Sequence, residues 1–525
     1  MRFYRAVALV ALMSLLLAAC AGSTEETTTT AGAAATTEAT EAPATTAPEA
    51  TTTTAGASAA TEVTIGLQLE PPTLDLTASP AAAIPQVLLY NVYETLVRLQ
   101  PDGSITPLLA ESYEISEDGL TYTFHLQDGV SFHNGEAFTA DDVVFSINNV
   151  LQKDPPHPFA TTLAPIVSVE APDDLTAVIT LSQVSANLLF FLTQGQGVML
   201  EESAVGTIEN SPVGTGPFTF GSWTVGDSIV LNRNDSYWGD APPLEMVTFR
   251  YINDPSALSN AMLAGDIDIL AGVSAPETLE AFAGDEFRVE VGETFGEIVL
   301  SLNGRRAPFD DVLVRQAVSH AIDRQAIVDL AYAGYGTVIG SFASPLEPWY
   351  KDLADVYPYD VPKAQELMAE AGVGDVTVQM VLPPISYAAR SGEIIASQLA
   401  EIGITVEITN VEWGVWLEDV FSNYDFDMSI VSHVEPRDLA QYGNPDYYWG
   451  NDSPQVADLL AQADAEPDEA TRNQLYQQVL DEITAVAADD WLFVLPALAV
   501  TKPGISGYKI NQQISLDVTE LALSE

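Results

Sequence analysis

Five histidines, one cysteine and a large excess of carboxylates are the groups in this 525-residue chain with reactive side chains. His125, His133, His157, His320 and His433 stand far apart, and no HExxH or paired-cysteine spacing gathers metal ligands. No G-x-S-x-G elbow offers a nucleophile. Asp and Glu number 74 against 18 Lys and Arg, a formal net charge of −56, so two acids close together say little about acid–base catalysis. The same imbalance argues against nucleic acid as a partner. Gly214-Thr215-Gly216 has the look of a phosphate cradle, but Pro217 removes an amide and no Lys follows. No cofactor, metal or catalytic residue is assigned, and the chain is read as a non-enzyme. The chemistry left is binding.

The richest candidate for binding is Trp413 together with the run from His433 to Tyr448. Aromatic walls supply stacking area at small entropic cost, and a few polar groups fix orientation. His433, Glu435 and Asp438 are the polar candidates; an ordinary polar loop over a strand end is the alternative. Tyr387 and Arg390, in PPISYAARSG, either face the same cleft or form a surface helical turn. Tyr93 either lines the opposite wall or packs in a core.

These residues need elements to position them. Leu120, Tyr122, Phe124 and Leu126 alternate with polar residues, the period of a half-buried strand, and Asp-Gly or Asn-Gly pairs mark turns around them. Thr139 opens a helix with Asp142 completing a capping box. Glu62 to Leu69 reads as a strand, and Ala257 to Gly265 as a helix followed by a short strand. Val312 to Leu330 reads as one helix, with Val314, Ala317, Val318, Ala321 and Ile322 on one face. His320 in it is expected to be a capped or partly buried residue; Arg305-Arg306 could bind an anionic solute, but in so acidic a chain are expected to form salt bridges. Val376–Leu382, Ser391–Ile402 and Ile404–Ile408 read strand, helix, strand, which suggests a βαβ-type lobe. Trp491 to Ala499 is nearly continuous apolar strand, suited to the middle of a sheet.

The N-terminus carries targeting information. Arg2 and Arg5 precede an apolar run to Leu17, and Leu17-Ala18-Ala19-Cys20 puts small residues before the only cysteine. The segment is too short for a stable span. It resembles a lipobox, which implies cleavage before Cys20, lipidation of its thiol and attachment to the membrane by acyl chains. Residues 21–61 contain only Ala, Gly, Ser, Thr, Glu and Pro and are read as a disordered tether. What remains exceeds one ordinary core, so at least two lobes are expected.

The order of motifs is more specific than any of them alone. YETLVRLxPDGSxxPxLAESYEISEDGLTYTFxLxDGVxFHNGExFTADDVVFS resembles the opening signature of the extracellular solute-binding proteins of peptide- and nickel-type ABC transporters. Gln127 stands where that family usually carries a positive charge. Three further blocks follow in family order: SPVGTGPFTF with N-x-x-YWG, LSLNGRRAPFDD with its helix, and PYDVPKAQELMAEAG. The resemblance implies an α/β, two-lobed periplasmic-binding-protein type II-like fold with an interlobe ligand cleft. Residues 62–100, 213–304 and 496–525 would form one lobe and 305–495 the other, with 101–212 an inserted small β-rich domain. It further implies a monomer on the outer face of the cytoplasmic membrane. There it would capture a short peptide or peptide-like solute by hinge closure and pass it to an ABC permease with its ATPase subunits. In oligopeptide-binding relatives a Trp after a Glu packs on ligand side chains, and Glu412-Trp413 matches it. The Asp that holds the ligand's amino terminus there falls on Pro436 or Ser432 here, leaving Glu435 or Asp438 as neighbouring substitutes. A secreted cell-envelope hydrolase and a lipoprotein adhesin or sensor are the alternative readings.

Overall fold

The computed structural model describes residues 61–434, 436–511 and 514–524. Cys20, its signal and the tether lie outside the described residues, as does Glu435.

One sheet of eleven strands runs through most of the molecule. Its order is Ile404–Asn410, Val376–Leu382, Met428–His433, Arg288–Leu302, Asp490–Thr501, Ile269–Ala271, Glu62–Leu67, Met246–Tyr251, Ser228–Arg233 and Phe218–Thr224; Thr337–Val338 also pairs with Asp490–Thr501. Parallel pairs join Val376–Leu382 to Ile404–Asn410 through the helix Ser386–Leu399, the expected βαβ unit with its helix starting one turn earlier. Ser391, Ile395 and Leu399 are buried on that helix's inner face at helical spacing.

Two long antiparallel strands, Arg288–Leu302 and Asp490–Thr501, pair in the middle of the sheet. Their pairing lapses between Glu293 and Glu297, where Pro496 lacks an N–H to give. Side chains bridge the gap: Thr294 Oγ1 donates to the Leu495 carbonyl at 2.8 Å, and Gly296 N–H donates back to Thr294 Oγ1 at 2.9 Å. The two strands are therefore continuous, with a local break in the ladder between them.

On one side of this break the apolar core gathers Ile65, Leu88, Tyr93, Phe218 and Phe249. On the other, two cores cover opposite faces of the sheet, one around Ile298, Leu300, Val378 and Met428, the other around Val299, Trp416, Tyr448, Trp449 and Trp491. The alternation of Ile298 and Leu300 against Val299 is the period of a strand buried on both faces. A separate four-stranded sheet, Ala110–Ile115, Thr121–Leu126, Thr176–Leu181 and Ile166–Asp173, packs against the helix Ala140–Gln152 with its own core. Thr139 and Asp142 form the expected capping box.

The single helix expected over 312–330 is two, Val312–Ala321 and Arg324–Ala331. Ile322 is extended and Asp323 caps the second helix, accepting from Ala326 N–H. A capping Asp inside a continuous apolar stripe is enough to restart the helix. His320 Nδ1 lies 2.8 Å from the Pro358 carbonyl, and Arg306 pairs with Asp425, as structural residues.

Candidate ligand cleft

Just past the break in the central ladder, Glu297 stands opposite His433 on the neighbouring strand. Glu297 is only 4 % exposed, a charged side chain in the run GEIVLSL that is otherwise apolar or small. Burial pushes its carboxyl well up, and Asp438 and Glu347 push it further. Its stabilising contacts are backbone amides, Ser344 among them. Glu347, in the loop before Trp349, is 6 % exposed and pushed up to about 7, by burial against the opposing pull of Arg437. One of its oxygens accepts Arg437 N–H at 3.0 Å; the other, Oε2, is buried without a hydrogen-bond partner among the described residues.

Arg437 has φ +65°, in the left-handed region that disfavours an L side chain. Its guanidinium carbon lies 4.3 Å from the centre of the Phe190 ring and 5.5 Å from that of Trp349. Nη1 reaches Asn187 Oδ1 at 3.1 Å. Phe190 in turn meets Phe295, edge to face, at 6.4 Å. Asn187 and Phe190 precede the strand Arg288–Leu302 in the chain and Trp349 and Arg437 follow it, so the parts of the chain before and after that strand touch here. A second contact between them pairs Arg390 with Glu277 at 3.2 Å. At a third, Gly103 sits so close to the Leu346 carbonyl that a Cβ would lie 2.3 Å from it.

Behind the carboxylates lies an aromatic layer. His433 Nε2 is 3.0 Å from Tyr448 Oη, and that hydroxyl is 2.6 Å from Ser301 Oγ. His433 Nδ1 faces Asp438 at 3.6 Å. Trp413 is half-buried and stacks on Trp416 at 5.0 Å with the rings 5° apart; Trp416 meets Tyr448 at 5.9 Å. Trp413 is thus linked to His433 through two rings rather than directly.

The structure brings His433 and Asp438 together. Tyr387 is buried in the core on the other face of the sheet, its hydroxyl accepting the Ser432 N–H at 2.8 Å, which holds a helix to the end of the same strand. Arg390 is half-exposed in its ion pair with Glu277, and its guanidinium is engaged there. Tyr93 is 1 % exposed within the first core, held near the Val213 backbone; of the two readings offered for it, the structure favours core packing. Glu297, Glu347, Arg437, Phe190 and Phe295 were not singled out from the sequence. Two of them carry a signal in the sequence: Glu297 is an acid inside the strand GEIVLSL, and Arg437 is the only Lys or Arg between Arg390 and Arg472.

The chemistry on offer is recognition: buried carboxylates, one buried guanidinium, unpaired polar atoms and aromatic faces where two lobes meet. Comparison with known proteins agrees. Residues 104–453 match the family described as bacterial extracellular solute-binding proteins, family 5. Heme-binding protein A of Haemophilus influenzae is 33 % identical over 361 residues, 62 % of this chain and 65 % of that protein, just under two thirds of its length. Glutathione-binding protein GsiB of Pectobacterium atrosepticum is 28 % identical over 78 % of this chain and 84 % of its own. Among solved structures, NikA from Brucella suis in complex with Fe(III)-EDTA superposes with a TM-score of 0.76 at 26 % identity, covering 88 % of this chain and all of that one. HbpA2 from Haemophilus parasuis gives 0.80 at 24 % identity, over 88 % of this chain and 100 % of its own, a likeness of fold. The chain belongs to the bacterial extracellular solute-binding proteins of family 5 and has their two-lobed fold.

Proposed function

We propose that this protein captures a small solute, a short peptide or peptide-like compound, between its two lobes and presents it to an ABC permease driven by separate ATPase subunits. The observation that carries the reading is the buried polar set at the lobe crossing, above all Glu347 Oε2, which has no hydrogen-bond partner among the described residues. Buried polar atoms are almost always satisfied, and an orphan where two lobes meet is a place for a ligand atom. Closure would be a hinge movement about the break at Glu293–Glu297, where the ladder is already interrupted. Lobe I would comprise 62–100, 213–304 and 496–525, lobe II 305–495, and 101–212 the inserted domain. Trp413, His433, Asp438 and Glu435 would contact the solute, and acyl chains on Cys20 would tether a monomer to the membrane. Two relatives bear names that fit such a cargo, di/tripeptide-binding protein 1 of Pseudomonas aeruginosa and the glutathione-binding protein.

Native mass spectrometry of residues 62–525 purified from cells, followed by denaturation, tests this directly. A released peptide or related solute is the expected result, lost in Glu347→Gln. A protein that carries nothing and gains no thermal stability from peptides, sugars or metal chelates would sink the small-solute reading.

A further inference from the structure

Among the polar groups at the lobe crossing, the pairing of Arg437 with Glu347 is incomplete in a specific way. The carboxylate takes the backbone N–H of Arg437, not its guanidinium. Two buried atoms are left over: Glu347 Oε2, an acceptor, and Arg437 Nε, a donor. An arginine placed to neutralise Glu347 would make the fork-to-fork contact that its planar donors favour. Instead its guanidinium lies over the rings of both Phe190 and Trp349, side chains only 2 % and 3 % exposed, which together form a slot for it. Two aromatic faces around a planar cation form a cation–π site. Glu347 and Glu469 act on this guanidinium, with Arg472 also near it; Glu297 and Asp438 in turn lie close to Glu347, and His433 lies beside Asp438. The slot is therefore built for a cation, and the chain's own arginine fits it without completing its bonds.

Building on the solute-binding reading above, we propose that the Phe190–Trp349 slot is a subsite for a guanidinium group of the solute, and that Arg437 fills it as an internal substitute until the solute displaces it. The incoming guanidinium would stack between the same two rings and donate to Glu347 Oε2, the atom Arg437 leaves unpaired. Arg437 swings out on the loop that already holds it at positive φ. The solute class is thus narrowed to compounds carrying a guanidinium, such as peptides with an arginine side chain.

The sign of one substitution separates a plug from a structural latch. A plug lowers apparent affinity by the fraction of time the slot is free, so one in place about nine-tenths of the time weakens binding about tenfold. Titration calorimetry with Ala-Arg-Ala, Ala-citrulline-Ala and Ala-norleucine-Ala reads this out. The arginine peptide should bind wild type about tenfold or more tighter than the citrulline peptide. Arg437→Ala should bind the arginine peptide about tenfold tighter than wild type, and Glu347→Gln should erase the preference. Equal affinity for the citrulline peptide, or weaker arginine-peptide binding in Arg437→Ala, overturns the proposal. If none of the three peptides binds, the peptide reading fails and the slot is judged by methylguanidinium alone. A melting-point rise in Arg437→Ala that Arg437→Ala/Glu347→Gln lacks supports the slot, and no rise overturns it.

Discussion

Thr215 Oγ1 donates to Glu94 Oε2 at 2.8 Å, although 121 residues separate them. The same buried carboxylate accepts Trp238 Nε1 at 3.0 Å and Tyr237 Oη at 2.7 Å. Three sequence blocks, YETL, GTGPF and N-x-x-YWG, thus converge on one side chain. The backbone closes around it: a Cβ on Gly214 would lie 2.0 Å from the Val92 carbonyl, so only glycine lets the two segments approach. His133 of FHNG joins in, with its Nε2 2.9 Å from the Gly216 carbonyl while Gly214 N–H donates to Nδ1, which fixes the neutral Nε2–H tautomer. These motifs hold the segments around Glu94, His133 and Thr215 to one another.

Glu94→Ala should accordingly destabilise the protein by about 3 kcal/mol or more, since it strands three buried donors at roughly 1–3 kcal/mol each. Glu94→Gln, which keeps an acceptor, should lose less. Urea unfolding with a constant slope checks the order of the two. Solute affinity of whatever folded Glu94→Gln remains should be unchanged; a loss there would mean the motif touches ligand.

Elements with a repeating period were legible before any coordinates: the strand 121–126 in its own small sheet, the capping box at Thr139, and the apolar strand after Asp490. The break at Ile322 was not, because the apolar stripe runs on through it and only Asp323 marks the restart. The candidate site was half legible. Aromatic residues and His433 advertise themselves by type, but Glu347 and Phe190 gain their meaning from segments about 160 residues apart. Pairing across lobes has no period to read. Tyr93 shows the converse: a tyrosine in a signature block is buried because the block is structural.

Trp413 shows one face to Trp416 and keeps the rest half-exposed. A stacked pair contributes about 0.5–1.5 kcal/mol beyond its buried area, so Trp413→Ala should lower the melting point by only a few degrees. Affinity for the co-purified solute should fall about tenfold, the scale of one lost aromatic contact. Calorimetry on the two proteins compares them; unchanged affinity would place Trp413 outside the solute's reach.

Asp489 is buried, accepting Leu302 N–H at 2.9 Å and Tyr442 Oη–H at 2.8 Å, and burial pushes its carboxyl up to about 8. A folded-state value raised above the unfolded one of about 3.9 stabilises fully below the latter and is lost as pH rises through about 8. Glu347, raised to about 7, has the same sign. His133 and His157 are lowered, so their opposite contribution is complete above about pH 6.5 and does not intrude beyond it. Asp489 and Glu347 together should therefore cost the ligand-free protein roughly 1–2 kcal/mol between pH 7 and pH 8.5, and the raised carboxyl of Glu297 adds to the loss with the same sign. Asp489→Asn should flatten that slope in denaturant titrations, and a slope unchanged in the variant would assign it elsewhere.

Thr294 is the side chain that spans the gap in the central ladder, donating to the Leu495 carbonyl and accepting from Gly296 N–H. Its own carbonyl accepts Ser344 Oγ at 2.6 Å, which ties the gap to the loop bearing Glu347. Where a ladder is interrupted, neighbouring strands can rotate without breaking backbone pairs elsewhere, so the pin sets how freely the lobes move. Thr294→Val keeps the shape and β-branching but strands two backbone groups, at about 1–3 kcal/mol if they stay buried. Amide exchange should quicken at 294–297 and 494–496, while Ile298 and Leu300, paired with Phe493 and Asp490, stay protected. Exchange that quickens along both strands alike would mean that the sheet opens as one unit and that Glu293–Glu297 is no hinge. Exchange unaltered at 294–297 would mean that water already satisfies the gap and Thr294 pins nothing.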